Sequence, residues 1–283
     1  MSGQSILIGT SSFTANGWKG AFYPVGLKSS DYLPFYAEHF DTVEIDSTFY
    51  ACPSPQTVTN WALRTPKGFV FSLKVPQTIT HEKRLVACAA EFEEFIKVVH
   101  ILDEKLGVVV FQFPFFDKWR VKDRHEFTDR LIPFLKKLPS GYKFAIEIRN
   151  KQWLDAEFAE MIRTYKVGLV LQDLSYMPLP TELDFDPITA DFTYIRWLGD
   201  RKGIETRTQT WNKVVDDKTD RLISWVDYCQ QIQKRGIKQY IYANNHFEGF
   251  SPATVAKFRG LWSERGLGEL ATRSIKRESS LFE

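Results

Sequence analysis

Six charged residues, Glu44, Asp46, Lys74, Glu147, Arg149 and Arg196, sit in or at the ends of short apolar runs reading TVEID, FSLK, AIEIR and TYIRW. Two carboxylates and an amine are enough for proton transfer, because burial raises one carboxylate's pKa while a neighbouring cation lowers the other's. Glu44 and Glu147 are the candidate acid and base. Lys74 would stabilise developing negative charge, or act as a Schiff-base amine if its pKa is depressed. Arg149 and Arg196 present planar forks suited to a carboxylate or phosphate, which points to an anionic or polyhydroxylated substrate. Asp46, Gln112, Asp173, Asn244 and Asn245 occupy equivalent ends of other runs and are candidate substrate contacts. Tyr50 and Trp153, with Trp18, offer rings for stacking.

The competing reading is a self-neutralising plug in which Glu and Arg satisfy one another. Taking charges out of water costs several kcal/mol per ion, roughly, even when they are paired, so stability alone is a poor reason to assemble so many. Metal chemistry has less support. Of the five histidines only His81 and His246 fall in loops on the expected catalytic face, and no HxH or HExxH spacing occurs. Glu44, Asp46, Glu147 and Asp173 are the oxygen ligands to consider if a divalent ion binds; no other cofactor is expected. GxGxxG, GxxxxGK[ST] and GxSxG are missing, which lowers the weight of nucleotide-phosphate loops and acyl transfer.

The elements that must position these residues are eight apolar runs, at 6–9, 42–46, 69–75, 107–113, 144–149, 168–173, 193–197 and 239–245, separated by helical patterns. Strand and helix in alternation predict an α/β chain folded as a single (β/α)8 TIM barrel, whose active sites gather at the C-terminal ends of the strands. Side chains alternate across a strand, so Glu44 and Asp46 share the inward face of TVEID while Val43 and Ile45 face the helices. The same parity turns Ser72, Lys74, Gln112, Glu147, Arg149 and Arg196 inward.

Helices are expected near 29–39, capped by Ser30 or Asp31, at 55–63, capped by Ser54 with Pro55 in the first turn, and near 87–105, 122–137, 155–165, 219–235 and 252–264. Three prolines in 175–191 predict a short or irregular sixth helix. The polar stretch 200–218 reads as a mobile cover, and the βα loops are long. Residues 1–264 form the domain and 265–283 a basic tail.

A length of 283 residues suits one such barrel, and 25% charged residues with a net charge of +2 leave no electrostatic footprint for nucleic acid, which is not expected as a partner. No apolar stretch approaches the ~20 residues of a membrane span, and the first residues do not read as a signal peptide, so a cytoplasmic location is expected. Three scattered cysteines predict buried thiols. The partner expected is a small-molecule substrate; oligomeric state is not readable.

The stretches IGTSSF, VEIDSTFY, FSLKVP followed by Thr80-His81, GVVVFQFP, AIEIRNKQW, YIRWLG and YANNH together resemble the DUF72, or YecE-like, family, over nearly the whole chain. The resemblance implies a TIM barrel and a site containing Glu44, Lys74, Gln112, Glu147, Arg149, Arg196 and Asn245, and implies no reaction. Three positions depart from the family's pattern: Asp46 stands for Asn, Leu198 for His, and Ala243 for an aromatic residue. The leading expectation is an acid/base enzyme, weakly a hydrolase or isomerase, acting on a sugar or sugar phosphate. The alternatives are a non-catalytic metabolite sensor or protein-binding module, and a metal-dependent nuclease or isomerase.

Overall fold

The computed structural model describes residues 5–270. Its elements run β1 (Ile6–Thr10), α1 (Tyr32–His39), β2 (Thr42–Ile45), α2 (Pro55–Leu63), β3 (Val70–Lys74), α3 (Ala89–Val99), β4 (Leu106–Gln112), α4 (Arg124–Leu135), β5 (Lys143–Glu147) and α5 (Ala156–Thr164). There follow β6 (Gly168–Leu174), β7 (Phe192–Gly199), α6 (Arg201–Glu205), α7 (Thr219–Lys234), β8 (Lys238–Ala243), α8 (Asn245–Glu248) and α9 (Ser251–Glu264). The eight strands are parallel, and the chain is a single (β/α)8 barrel. Between β6 and β7 the chain makes only a 3-10 turn, Pro180–Glu182, as the prolines there predict.

Two cores follow from strand parity. Ile6, Ile8, Val43, Phe71, Val109, Ile146, Leu171 and Ile195 pack outward beneath the helices. Leu7, Val108, Val110, Ala145, Val170, Tyr194 and Tyr242 fill the barrel's interior. Above that apolar layer the inward positions become polar, and registers such as Glu44 beside Ser72, Gln112 beside Glu147 and Gln172 beside Arg196 bring them to one height.

The hydrogen-bonded order begins at β1 and ends at β2, and the gap between these edges is bridged by a side chain. The Tyr36 hydroxyl on α1 accepts the Thr10 N–H at 2.9 Å and donates to the Thr42 carbonyl at 3.2 Å. Gly9 permits the approach, since a Cβ there would lie 2.0 Å from the Thr42 oxygen.

Several local expectations need correction. Neither Ser30 nor Asp31 caps the first helix; a 3-10 turn precedes α1, and Asp31 pairs instead with Arg64 at 2.8 Å. The segment expected as one helix over 87–105 divides into α3 and a 3-10 stretch, His100–Lys105, itself kinked at Asp103, which takes a positive φ of 48°. Ser54 does cap α2, accepting from Thr57 N–H at 3.1 Å. The 200–218 segment is anchored: Trp211 N–H donates to the Asn16 carbonyl at 2.9 Å and Asn16 Nδ2 to the Gln209 carbonyl at 3.0 Å. Cys88 and Cys229 are buried, whereas Cys52 is half-buried. Residues 265–270 follow α9, and 271–283 of the expected tail lie outside the described residues. Among the described residues no helix is long and apolar enough to cross a membrane.

Candidate active site

The polar layer is organised by Arg196 on β7, which is 2% exposed. Its Nη2 donates to Glu44 Oε1 at 2.8 Å and to Asp46 Oδ1 at 3.2 Å, its Nε to Glu44 Oε1 at 3.1 Å, and its Nη1 to Glu147 Oε2 at 2.6 Å. Tyr194 donates to the other Glu44 oxygen at 2.6 Å, and Arg149 donates through Nε and Nη2 to Glu147 Oε1 at 2.8 and 2.6 Å. Every carboxylate oxygen of Glu44 and Glu147 is therefore engaged, and both residues are fully buried.

These contacts set the charge states. Burial works to raise Glu147, but Arg196, Arg149 and Lys74 outweigh it and hold the carboxyl at about 2. Asp46 behaves oppositely. Burial and the neighbouring Glu44 charge push it up to about 6, against the pull of Arg196 and Lys74. Glu147 is thus a fixed anion at neutral pH, while Asp46 titrates near it.

Lys74, at the end of β3, differs from the two arginines. Among the described residues no hydrogen bond or ion pair engages its ammonium, which lies 3.9 Å over the Phe49 ring. Burial lowers its pKa, Asp46 opposes that shift, and the like charge of Arg196 reinforces it.

Above this floor opens a cleft of about 620 Å³, lined by Asp46, Lys74, Gln112, Arg149, Arg196 and Asn244 from the strand ends. The loops contribute Phe49, Tyr50, Gln77, His81, Phe115, Tyr176, Arg201 and His246. Burial, with Lys74 and Arg149 adding to it, lowers His81 to about 4, so it is neutral at neutral pH. Asn244 Oδ1 accepts from the His246 N–H at 3.0 Å and contacts His246 Nδ1 at 2.6 Å. His246 Nε2 lies 3.1 Å from Glu205.

Three expected contacts do not reach the cleft. Trp153 is 6% exposed and stacks on Phe127 and Phe116 under the β4 and β5 loops. Asp173 lies on the helix side of β6, where it accepts from Trp225 Nε1 at 2.7 Å and faces Arg221 at 3.4 Å. The inward residue at that height is Gln172, and a register shift after Asp173 returns Leu174 to the cleft. Asn245 accepts from the Ser251 N–H at 3.0 Å, Ser251 Oγ at 2.9 Å and Trp18 Nε1 at 3.3 Å, so it joins α8 to α9 and buries Trp18 away from any ligand. Tyr50, Gln112, Arg149, Arg196, Asp46, Lys74 and Asn244 line the cleft, and Glu44 and Glu147 lie beneath it.

Phe49, Gln77, Tyr176 and Arg201 were not among the candidates. Their signal was faint: each lies just beyond a strand, in a loop whose path the strand pattern does not fix. As for a metal, Glu44, Asp46 and Glu147 converge on a guanidinium and Asp173 lies across the sheet. Among the described residues no group of three or more His, Cys, Asp or Glu is set to hold an ion. This donor set does not fit a divalent cation.

The family described as "Protein of unknown function DUF72" matches residues 7–277. UPF0759 protein YecE of Escherichia coli strain K12 is 32% identical over 125 residues, 43% of this chain and 42% of that protein. UPF0759 protein YunF of Bacillus subtilis strain 168 is 29% identical over 157 residues, 53% of this chain and 54% of that protein. The chain thus spans about half the length of the curated relatives it matches. A crystal structure of a DUF72 family protein from Thermotoga maritima MSB8 superposes with a TM-score of 0.72 at 23% identity, covering 93% of this chain and 99% of that one. Another, from Enterococcus faecalis V583, gives 0.66 at 20% identity, covering 92% and 98%. These two likenesses concern the fold, and together with the family match over residues 7–277 they make this chain a member of the DUF72 family.

Proposed function

We propose that the cleft is an active site for a small anionic metabolite, in which Lys74 and Arg149 hold the anion and Asp46 and Lys74 move protons. The observation that carries this reading is the uneven pairing of the three cations. Arg196 and Arg149 are bound to carboxylates, whereas Lys74 faces the cleft with only the Phe49 ring beside it. A desolvated amine with no protein acceptor is suited to an oxyanion or a phosphate oxygen.

The roles of the acids change accordingly. Glu44 and Glu147 hold Arg196 in place through their hydrogen bonds to its guanidinium. Asp46 takes the acid/base role because its pKa of about 6 lets it both hold and release a proton near neutrality. Sugar phosphates and sugar acids suit the site, since Gln77, Gln112 and Asn244 add amides able to meet hydroxyls.

Binding without turnover is the second reading, favoured by the completeness of the Glu44–Arg196–Glu147 network, in which every oxygen of both glutamates is already hydrogen-bonded. Calorimetric titration with sugar phosphates, sugar acids and the matching neutral sugars tests the anion site. The anions are expected to bind, and Lys74→Met to weaken them by about tenfold or more, the value of one charge-assisted hydrogen bond. Neutral sugars binding equally well, with Lys74→Met unaltered, overturns the reading. Asp46→Asn separates enzyme from sensor, because it should abolish turnover while retaining the ligand.

A further inference from the structure

The described residues contain four exposed aromatic side chains, Tyr50, Phe115, Trp119 and Tyr176, and all four lie in the loops after β2, β4 and β6 at one end of the barrel. Three of them, Tyr50 at 74% exposed, Phe115 at 54% and Tyr176 at 50%, line the cleft. The chain has 42 aromatic residues, being 23 Phe, 11 Tyr and 8 Trp, and among the described ones all but these four are buried or half-buried, three of the four lying at the mouth. Among the described residues neither Phe115 nor Tyr176 meets another ring within stacking range, and Tyr50 touches only the Phe49 edge, with centroids 5.2 Å apart. Their faces are open. Apolar surface gathered at a cleft rather than scattered marks a binding site.

The cleft is therefore graded along its depth. Arg196 is sealed at the bottom, Lys74 and the amides of Gln77 and Asn244 are half-buried, and the rings are at least half exposed. Cations at the floor suit an anionic group, amides above them suit hydroxyls, and open rings at the mouth suit a flat π-system, which stacks on aromatic faces. A volume of about 620 Å³ falls in the usual range for a small-molecule site.

We infer that the ligand is a nucleotide-class molecule, a nucleoside monophosphate or close analogue, bound with its phosphate on Lys74 and Arg149 and its base against the collar of Tyr50, Phe115 and Tyr176. This rests on the proposed anion site and adds the identity of the ligand's other end. A simple sugar phosphate would leave the collar unused. No phosphate-binding glycine loop is required, because side-chain cations replace its backbone donors.

The test is calorimetric titration of the full chain with adenosine 5′-monophosphate, ribose 5-phosphate and adenosine. One base stacked on an aromatic face is worth roughly 5- to 150-fold in affinity, so the monophosphate should bind at least about fivefold more tightly than ribose 5-phosphate. Phe115→Ala and Tyr176→Ala are exposed and should keep the wild-type melting temperature. They should bring the two ligands to within about twofold of each other while leaving ribose 5-phosphate affinity unchanged. Lys74→Met should weaken both phosphates and spare adenosine. Equal binding of the two phosphates by wild type, or unaltered monophosphate affinity in both collar variants, overturns the inference and leaves the anion site standing. If neither phosphate binds, the anion reading and this one fall together.

Discussion

Replacing Arg196 with Met is the sharpest test of how the polar layer is held. The guanidinium makes four short contacts of 2.6–3.2 Å, and without it Glu44 keeps only the Tyr194 hydroxyl and Glu147 only Arg149. Removing one partner of a buried ion pair costs about 3–5 kcal/mol, because the remaining charge stays out of water. An unfolding entropy of roughly 2.1 cal/mol/K per residue gives about 0.6 kcal/mol/K for a chain of this length. The melting temperature should therefore fall by about 5–8 °C at pH 7, read by scanning calorimetry.

The loss should carry a pH signature. In wild type Glu147 is depressed to about 2, so its stabilising contribution is present above the ordinary value of 4.5 and lost as pH falls toward 2. In the variant, burial without Arg196 penalises the charged carboxylates, a penalty present at pH 7 that fades as they take up protons. The gap between wild type and variant should shrink between pH 7 and pH 4.5. Adding Glu44→Gln and Glu147→Gln to Arg196→Met removes the stranded charges and should recover most of the loss. A gap below about 1 °C at pH 7, or one that does not narrow with acid, refutes the argument.

Asp46, raised from 3.8 to about 6, stabilises the fold fully below its unfolded value and progressively less as pH rises through 6. Affinity for a ligand of fixed charge, such as a sulfate ester, should rise as pH falls from 7 to 5.5 and Asp46 becomes neutral; Asp46→Asn should abolish that slope in calorimetry. Tyr36→Phe strands the Thr10 N–H and should cost about 1–3 kcal/mol in urea denaturation. Asp173→Ala should lower stability by a similar amount, about 1–3 kcal/mol, by unpairing Trp225 Nε1, yet leave ligand affinity in the cleft within about twofold. A larger affinity loss would return Asp173 to the site.

All eight strands were legible, because a parallel barrel strand is apolar on both faces until its last inward position, where the polar residue announces the site. Period-two parity placed Glu44, Lys74, Gln112, Glu147, Arg149 and Arg196 on the inner face. Asp173 was expected in the site as a strand-end residue rather than by parity, and parity with the outward-facing Leu169 and Leu171 gives its true direction, toward the helices. Trp153 and Asn245 were misjudged because loop residues have no period; only the packing of Phe116, Phe127 and Ser251 decides their direction. The division of labour among the acids was not legible either. Glu147 is held low by the arginines on both of its oxygens, whereas Asp46 is raised by burial and the Glu44 charge, and neither environment can be read from strand parity.

The hydroxyl that joins β1 to β2 gives this barrel an unusual inheritance. A main-chain ladder is available to almost any sequence, so seven of the joints in the ring are indifferent to amino-acid identity. The eighth depends on one phenol and on a glycine small enough to let the edges meet. The seam is thus the one joint of the ring whose hydrogen bonds a single substitution can remove.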